Sequence, residues 1–363
     1  MEKDVLRETA CQELLTYGVW DWKDRMKYLI RKYLLRRKTA PEDPVFWPTG
    51  LLAAGLWRCR QEMAEGEITD VVRADIGLTD WVIEVYYERW IDKGCPILWL
   101  DDLLAGETIL DAYEEYCKRG GNNGIVRAQT VEEYRQAAEK LARFGLEYPT
   151  DETGSFPYRA NQDNGLVFVD SIGLACPFLY RYGELFDRQD TMELAVKQIV
   201  NYLAYGMDVS TGLPYHGYSV AEDCKYGIIG WGRAVGWLLR GMTGCMGTEY
   251  GRERLEDSYI KAADAALGFQ RKDGYFSWQL QALEGPADTS ATGMICASLR
   301  QGLALGILQG EKYEQALQAG RSAVEKAVRN GRVYQCSGEC EGLGQYPQRY
   351  GAYPWALGTA LML

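Results

Sequence analysis

Apolar residues recur along this chain three and four positions apart, which is the spacing of one face of an α-helix. The pattern occurs in segments spread over the sequence, including 26–34, 131–141, 255–269 and 313–324. Thr130 and Glu133 have the spacing of a capping box and precede the second of these segments. We count roughly a dozen such segments, each of about 12–20 residues, a usual length for a globular helix.

Glycine-rich breaks separate the helical segments, at 119–124, 212–214, 273–274 and 342–344. Alternating strand patterns are scarce, although 165–169 is suited to an extended stretch, and no proline- or serine-rich linker divides the chain. We therefore expect one all-α domain over residues 1–363, built from consecutive helix hairpins. About twelve helices in sequential pairs close into an (α/α)6 barrel whose inner helices line a funnel. An open helical solenoid is the alternative, but the chain shows no fixed repeat period.

Composition excludes several classes of function. The 363 residues carry 40 Lys+Arg against 51 Asp+Glu, a net charge of −11, and lack the basic patch that holds a nucleic acid. No apolar run reaches the roughly 18 residues of a membrane span, and the N-terminus has no apolar signal core. The ten cysteines include one close pair, Cys336 and Cys340, without the further ligands of a zinc site. These features predict a cytoplasmic protein with mostly buried, reduced thiols.

The aromatic and histidine contents are unusual. The chain has 11 Trp, 25 Tyr and 8 Phe but only one histidine, His216. A single histidine excludes a multi-histidine metal site. Abundant Trp and Tyr are suited to stacking on sugar rings, although large helical proteins also use aromatic residues in their cores.

Aspartates interrupt two otherwise apolar stretches. Asp101 and Asp102 open a helix, where capping is the simplest interpretation. Asp170 lies within the nearly continuous apolar stretch 167–179, where a carboxylate must be paired, hydrogen-bonded or protonated. Burial raises the pKa of a carboxyl, as a general acid near neutral pH requires.

Three further segments combine polar and aromatic side chains. Tyr215 adjoins His216, and Trp231 and Trp237 flank Arg233 at a glycine-rich helix start. An arginine there is suited to clamp a carboxylate in a bidentate manner. The segment 288–292 again opens an apolar helix with polar residues, so capping is its alternative interpretation.

Taken together, these segments resemble the unsaturated glucuronyl and rhamnogalacturonyl hydrolases of glycoside hydrolase families 88 and 105, from about Trp47 to the end of the chain. The motifs that carry the resemblance are the stretch 100–106, Asp170 ahead of Pro177 and Phe178, the Tyr215–His216 pair, the Trp-Gly-Arg-x-x-Gly-Trp element 231–237 and the stretch 288–291. The resemblance implies a single (α/α)6 barrel.

The chain departs from the family pattern at two places. Tyr158 stands where many members have a histidine, next to Arg159 at a position where a basic residue is common. Asp288 replaces the family's glutamate before the Thr-Ser pair. These departures affect the expected sugar more than the expected fold or reaction.

The resemblance also implies a reaction. A 4,5-unsaturated uronate at the non-reducing end of a lyase-generated oligosaccharide is hydrated, and the resulting hemiketal opens and releases the remaining sugar. Asp170 is expected to protonate C4 and activate water for attack at C5, and Asp101 to be the second carboxylate, with Asp102 as its substitute. The remaining expected substrate-binding residues are Tyr158, Arg159, Tyr215, His216, Trp231, Arg233, Trp237, Asp288 and Ser290. The resemblance implies no metal or organic cofactor.

Three other functions compete with this one. An inverting glycosidase would use two acids on saturated oligosaccharides. A sugar epimerase of the same barrel shape would need two active-site histidines, and the chain has one. A non-catalytic carbohydrate-binding protein is favoured only by the change at Tyr158.

Overall fold

The computed structural model describes residues 3–17, 26, 30, 45–120, 128–160 and 165–363. Most of the predicted helical segment 26–34 and most of the glycine break 119–124 lie outside the described residues. Within them the chain forms twelve α-helices: α1 (Lys3–Thr16), α2 (Trp47–Glu65), α3 (Asp70–Ile91), α4 (Ala105–Gly120), α5 (Ala128–Glu147), α6 (Asp170–Phe186), α7 (Gln189–Tyr205), α8 (Gly232–Gly244), α9 (Glu249–Leu267), α10 (Thr289–Ala304), α11 (Glu311–Lys326) and α12 (Pro354–Leu361).

The even-numbered helices form a closed inner ring. Each packs on the next even-numbered helix, and α12 returns to pack on α2. The odd-numbered helices pack outside this ring, each against its neighbours in the chain. The predicted (α/α)6 barrel is confirmed, and closure of the ring excludes the open solenoid.

Sequence composition explains which helices lie inside. In α10 nearly every residue of the first two turns is buried, whereas α5 buries one stripe, including Tyr134 and Leu141, and exposes its charged face. A helix that is covered on all sides needs apolar or small residues on every face, whereas an outer helix needs only one apolar face. The one-sided stripes predicted at 131–141, 255–269 and 313–324 accordingly belong to the outer helices α5, α9 and α11.

Glycines let the first and last inner helices touch. A Cβ atom on Gly55 of α2 would lie 2.0 Å from the Gly358 carbonyl oxygen of α12. No side chain fits at that distance, so the ring closes by backbone contact.

In the described part of the chain, short strands and one 3-10 helix lie between the helices. β1 (Val167–Phe168), β2 (Gly217–Ser219) and β3 (Cys224–Tyr226) form an antiparallel sheet in that order. Two further hairpins pair β4 (Val328–Arg329) with β5 (Arg332–Val333) and β6 (Cys336–Ser337) with β7 (Tyr350–Gly351). The 3-10 helix spans Leu100–Leu104 and leads into α4. In the described part of the chain, no helix has the length and apolar character needed to cross a bilayer.

Candidate active site

The predicted site residues gather where the inner helices begin. Asp170 is the first residue of α6, Asp288 is the N-cap of α10, and Asp101 lies in the 3-10 helix ahead of α4. Trp47 at the start of α2 lies 4.9 Å, ring to ring, from Trp355 at the start of α12. The N-terminal ends of the ring therefore meet at one end of the barrel and form the funnel.

Asp170 and His216 form a hydrogen-bonded pair in this funnel. His216 Nε2 lies 3.1 Å from Asp170 Oδ2, and its Nδ1 lies 2.7 Å from the Tyr346 hydroxyl. Pairing of β1 with β2 sets this geometry, because the Val169 N–H donates to the His216 carbonyl at 3.0 Å. The Asp170 side chain is 14% exposed and that of His216 only 2%. The carboxyl is therefore the member of the pair that is open to a substrate.

Aromatic rings hold the imidazole from three sides. Phe168, Trp231 and Tyr346 have ring centroids 4.9, 4.7 and 5.5 Å from that of His216. Trp231 is buried, so it supports the histidine from behind and does not offer an open face to a sugar. Both ring nitrogens of His216 thus have a hydrogen-bond partner, Nε2 the Asp170 carboxyl and Nδ1 the Tyr346 hydroxyl, and the tautomer sets which atom donates in each bond.

A second cluster lies beside the first and consists of Asp101, Arg159 and Tyr158. Arg159 donates to Asp101 Oδ2 at 2.9 Å, and its guanidinium carbon lies 4.5 and 4.2 Å from the ring centroids of Trp99 and Tyr158. Burial raises the pKa of Asp101, and Arg159 and the Tyr158 hydroxyl counteract this. The Tyr158 ring stacks on Phe168 at 4.6 Å, which joins this cluster to the His216 surroundings.

Asp102 has a different environment from its neighbour Asp101. Its Oδ2 accepts the backbone N–H groups of Leu98 at 2.7 Å and Trp99 at 3.1 Å. These bonds cap the 3-10 helix, so for Asp102 the structure agrees with the capping role that is the simplest interpretation of the sequence. Asp101, in contrast, contacts the candidate site residues Arg159 and Tyr158.

Arg233 is bound to its own chain. Its side chain is buried and donates to the Ser337 carbonyl at 3.0 Å, the Ser337 hydroxyl and the Gly338 carbonyl at 2.7 Å. Asp288 Oδ2 lies 3.9 Å away. The guanidinium therefore ties the start of α8 to β6 and Gly338, whereas the sequence predicts that it clamps a substrate carboxylate.

Asp288 and Ser290 belong to the same buried network. Asp288 Oδ1 accepts from the Ser290 N–H at 2.9 Å and the Ser290 hydroxyl at 2.6 Å, while its Oδ2 accepts from the Ser337 hydroxyl. Both residues are fully buried. The structure places them as the cap of α10, which was the alternative to substrate binding.

The other two predicted stacking residues contact different groups. Trp237 is buried further along α8, against Gly173 of α6 and edge-on to Trp47 at 6.1 Å. Tyr215 adjoins His216 in the chain, and the Lys225 ammonium lies 5.6 Å from its ring centroid.

Sequence reasoning missed two residues of the segment 338–349. Tyr346 completes the His216 network, and Trp47 Nε1 donates to Glu339 at 3.4 Å. Burial raises the pKa of Glu339, and the negative charge of Asp101 adds to this effect. Neither Tyr346 nor Glu339 lies in a segment with helical periodicity. The glycines at 342 and 344 predict a loop in this region, but they do not predict which residues the loop contacts.

The arrangement is capable of acid–base chemistry. An accessible carboxyl, Asp170, is held by a buried imidazole, and a second carboxyl, Asp101, lies near enough that the charge of Asp170 contributes to raising its pKa. Two neighbouring carboxyls provide one group that can transfer a proton and another that can hold a hydroxyl group or a water molecule.

The sequence of the chain is similar to those of known glycoside hydrolases. The sequence model of Glycosyl Hydrolase Family 88 matches residues 23–363. The unsaturated rhamnogalacturonyl hydrolase YesR of Bacillus subtilis (strain 168) is 23% identical over 330 residues, covering 87% of each chain.

Two solved structures show the same fold. A possible member of the GH105 family from Salmonella enterica serovar Paratyphi A superposes with a TM-score of 0.77 at 16% identity, over 99% of this chain and 92% of that chain. The unsaturated glucuronyl hydrolase of Bacillus sp. GL1 superposes with a TM-score of 0.65 at 15% identity, over 89% and 86%.

Proposed function

The chain belongs to Glycosyl Hydrolase Family 88, and from this premise we propose that it releases a 4,5-unsaturated uronate from the non-reducing end of small oligosaccharides. The protein is a glycoside hydrolase of the unsaturated uronyl hydrolase type. The observation that carries the specific proposal is the Asp170 carboxyl, open to the funnel and hydrogen-bonded to buried His216.

The proposed reaction uses Asp170 twice. Its carboxyl gives a proton to C4 of the vinyl ether, and the resulting carboxylate takes a proton from the water that attacks C5. The hemiketal at C5 then opens, and the aglycone leaves. His216 holds the Asp170 carboxyl in place, while Asp101 accepts hydrogen bonds from a sugar hydroxyl or the water.

We assign binding of the uronate carboxylate to Arg159. The sequence motif favoured Arg233, but that guanidinium already bonds Ser337 and Gly338. The Arg159 side chain is 19% exposed and shares only part of its five donors with Asp101 and the Tyr158 carbonyl. A planar guanidinium with free donors is suited to a carboxylate.

The names of the relatives guide the choice of substrate. YesR is named for unsaturated rhamnogalacturonyl substrates and the Bacillus sp. GL1 protein for unsaturated glucuronyl substrates. We propose the unsaturated galacturonyl–rhamnose disaccharide first, because the relative with that name matches over most of both sequences. All ten cysteines are unpaired, which supports action in a reducing compartment such as the cytoplasm on imported fragments.

The test uses the substrate's own chromophore. Unsaturated uronates absorb in the ultraviolet, and hydration removes that absorbance. We expect loss of absorbance with lyase-generated disaccharides from rhamnogalacturonan, pectin or glycosaminoglycans, and a fall in kcat of about 10²–10⁴-fold in Asp170→Asn. Asp257→Asn, exposed on α9, is the matched control and should retain full activity.

Two results would contradict the proposal. Near-normal turnover by Asp170→Asn would exclude this residue as the acid and base. No loss of absorbance with any unsaturated disaccharide, together with hydrolysis of saturated oligosaccharides, would favour the conventional inverting glycosidase.

A further inference from the structure

A second pocket lies at the opposite end of the barrel from Asp170. It has a volume of about 330 Å³ and is lined by residues from all six inner helices, mostly in their C-terminal halves. This volume is at the lower end of the roughly 300–1,000 Å³ that is typical of small-molecule sites. None of the candidate active-site residues lines it.

The pocket has an apolar floor and a polar wall. Leu51, Met294 and Pro177 form part of the buried floor. The polar lining consists of Arg58, Gln61, Glu107, Thr108, Asp111, Arg240, Ser298, Arg300, Gln301 and Thr359. A largely apolar surface with a few convergent polar groups is the usual character of a ligand site.

The charged groups of this wall are unequally paired. Arg240 is paired, with two bonds to Glu107 at 2.7 and 2.8 Å and a third to the Gly173 carbonyl. The Asp111 carboxyl, in contrast, has no hydrogen-bond partner among the described residues. A carboxyl in that position is available to accept a hydrogen bond from a ligand hydroxyl.

Two further arginines line the same pocket, Arg58 from α2 and Arg300 from α10. Arg58 Nε lies 3.4 Å from Glu62, and Arg300 donates through Nη1 to Glu62 and to the Met362 carbonyl at 2.8 Å. The remaining donors of both guanidinium groups have no described partner. They provide positive charge and N–H groups for an anionic ligand group.

We propose that this pocket binds a small hydroxylated carboxylic acid of hexuronate size. Its carboxylate pairs with Arg58 and Arg300, a ring hydroxyl donates to Asp111, and its C–H face lies on Leu51 and Met294. The proposal concerns a site separate from the funnel, and it holds whether or not the funnel acts on an unsaturated uronate.

The experiment titrates the full chain with D-galacturonate and D-glucuronate by calorimetry near pH 7, with D-galactose and D-glucose as uncharged probes. We expect a uronate to bind and the matching hexose to bind at least about tenfold more weakly, since the charged hydrogen bonds are lost. Arg58→Gln at the rim and Ala297→Leu within the pocket should each weaken uronate binding about tenfold or more. Ala74→Leu, exposed on α3, is the control for the added side chain and should bind normally.

Arg159→Ala separates this pocket from the funnel. Uronate binding that persists in Arg159→Ala and is lost in Arg58→Gln and Ala297→Leu supports the second site. Binding that shows the reverse pattern assigns the uronate to the funnel and overturns the proposal. Absence of any uronate binding by the unsubstituted protein at about 10 mM, a concentration above that of typical metabolite affinities, overturns it as well.

Discussion

The Tyr346 hydroxyl is the residue-scale feature with the clearest expected effect on catalysis. Tyr346→Phe keeps the ring against His216 and Trp231 but removes the group 2.7 Å from His216 Nδ1. The imidazole then loses one of its two hydrogen bonds and holds Asp170 less well. We predict a fall in kcat of about tenfold, corresponding to one hydrogen bond of about 1.5 kcal/mol, with little change in KM.

Tyr350→Phe is the matched control for this change. Tyr350 follows in the same part of the chain, and among the described residues its hydroxyl bonds the side chain of Gln348 alone, at 3.1 Å. It should retain full kcat. Equal losses in the two variants, or a rise in KM at constant kcat for Tyr346→Phe, would assign Tyr346 to loop structure or substrate contact and not to positioning of His216.

A double-mutant cycle tests the Asp101–Arg159 pair. Arg159→Ala leaves the Asp101 carboxylate buried without its cation, so we predict destabilisation of about 3 kcal/mol at pH 8. Adding Asp101→Asn removes the buried charge and should restore part of that loss. Urea denaturation of the four proteins measures both effects. Additive losses would mean that the two side chains do not interact.

The sequence predicted which side chains lie at the funnel better than the contacts that each one makes. It drew attention to Asp170, His216 and Asp101, because a carboxylate in an apolar stretch and a lone histidine are visible without a structure, and the first two form a hydrogen bond. The same motifs favoured Arg233 and Asp288 as ligand contacts, yet the structure uses both in a buried network. A motif specifies residue types. The hydrogen-bond partners of Arg233 depend instead on the distant segment that contains Ser337 and Gly338, which the motif does not include.

At the scale of elements, the contact between α2 and α12 decides whether the ring closes. Gly55→Ala places a Cβ atom 2.0 Å from the Gly358 carbonyl oxygen, so the two helices must separate. We predict destabilisation of about 1–3 kcal/mol, as for other overpacked interfaces. Gly77→Ala, on α3 with no atom within 4 Å of the new Cβ, should instead stabilise by about 0.5–1 kcal/mol. A similar outcome for both in thermal or urea denaturation would contradict this account of ring closure.

Periodicity predicted the outer helices because each has one apolar stripe, as α5, α9 and α11 do. It was less informative for α12, whose residues are apolar or small throughout, so no stripe distinguishes it. The strands β4 to β7 have two residues each, too few for an alternating pattern. Of the strands, only β1, within the stretch 165–169, was expected from the sequence. Its pairing with β2 could not be predicted, because β2 lies about fifty residues further along the chain.

At the scale of the whole molecule, two carboxyls, half-buried Asp111 and buried Asp80, make stability depend on pH. Burial raises the pKa of Asp111 to about 7, and that of Asp80 to about 6 despite Arg60. Arg181 and Arg58 lower the Asp111 value, while Glu107 and Glu114 raise it. A folded-state pKa above the unfolded value means that the folded chain binds more protons, so stability falls as the pH rises through this range.

Asp111→Asn isolates this contribution, because the amide stays neutral at every pH and Asp111 has no hydrogen-bond partner among the described residues. Between about pH 4 and 7 the unsubstituted protein progressively loses the stability contributed by the protonated carboxyl, and the variant does not. We therefore predict that Asp111→Asn gains stability relative to the unsubstituted protein from pH 5 to pH 8, by at least about 1 kcal/mol after allowance for solvent screening. Asp80→Asn is the contrasting variant. It removes the carboxylate that lies 2.9 Å from buried Arg60, so this variant should be destabilised at both pH 5 and pH 8. Urea midpoints measured at pH 5 and pH 8 without added sugar acids decide the matter, and a constant difference between Asp111→Asn and the unsubstituted protein would show that Asp111 is already ionised in the folded chain at pH 5.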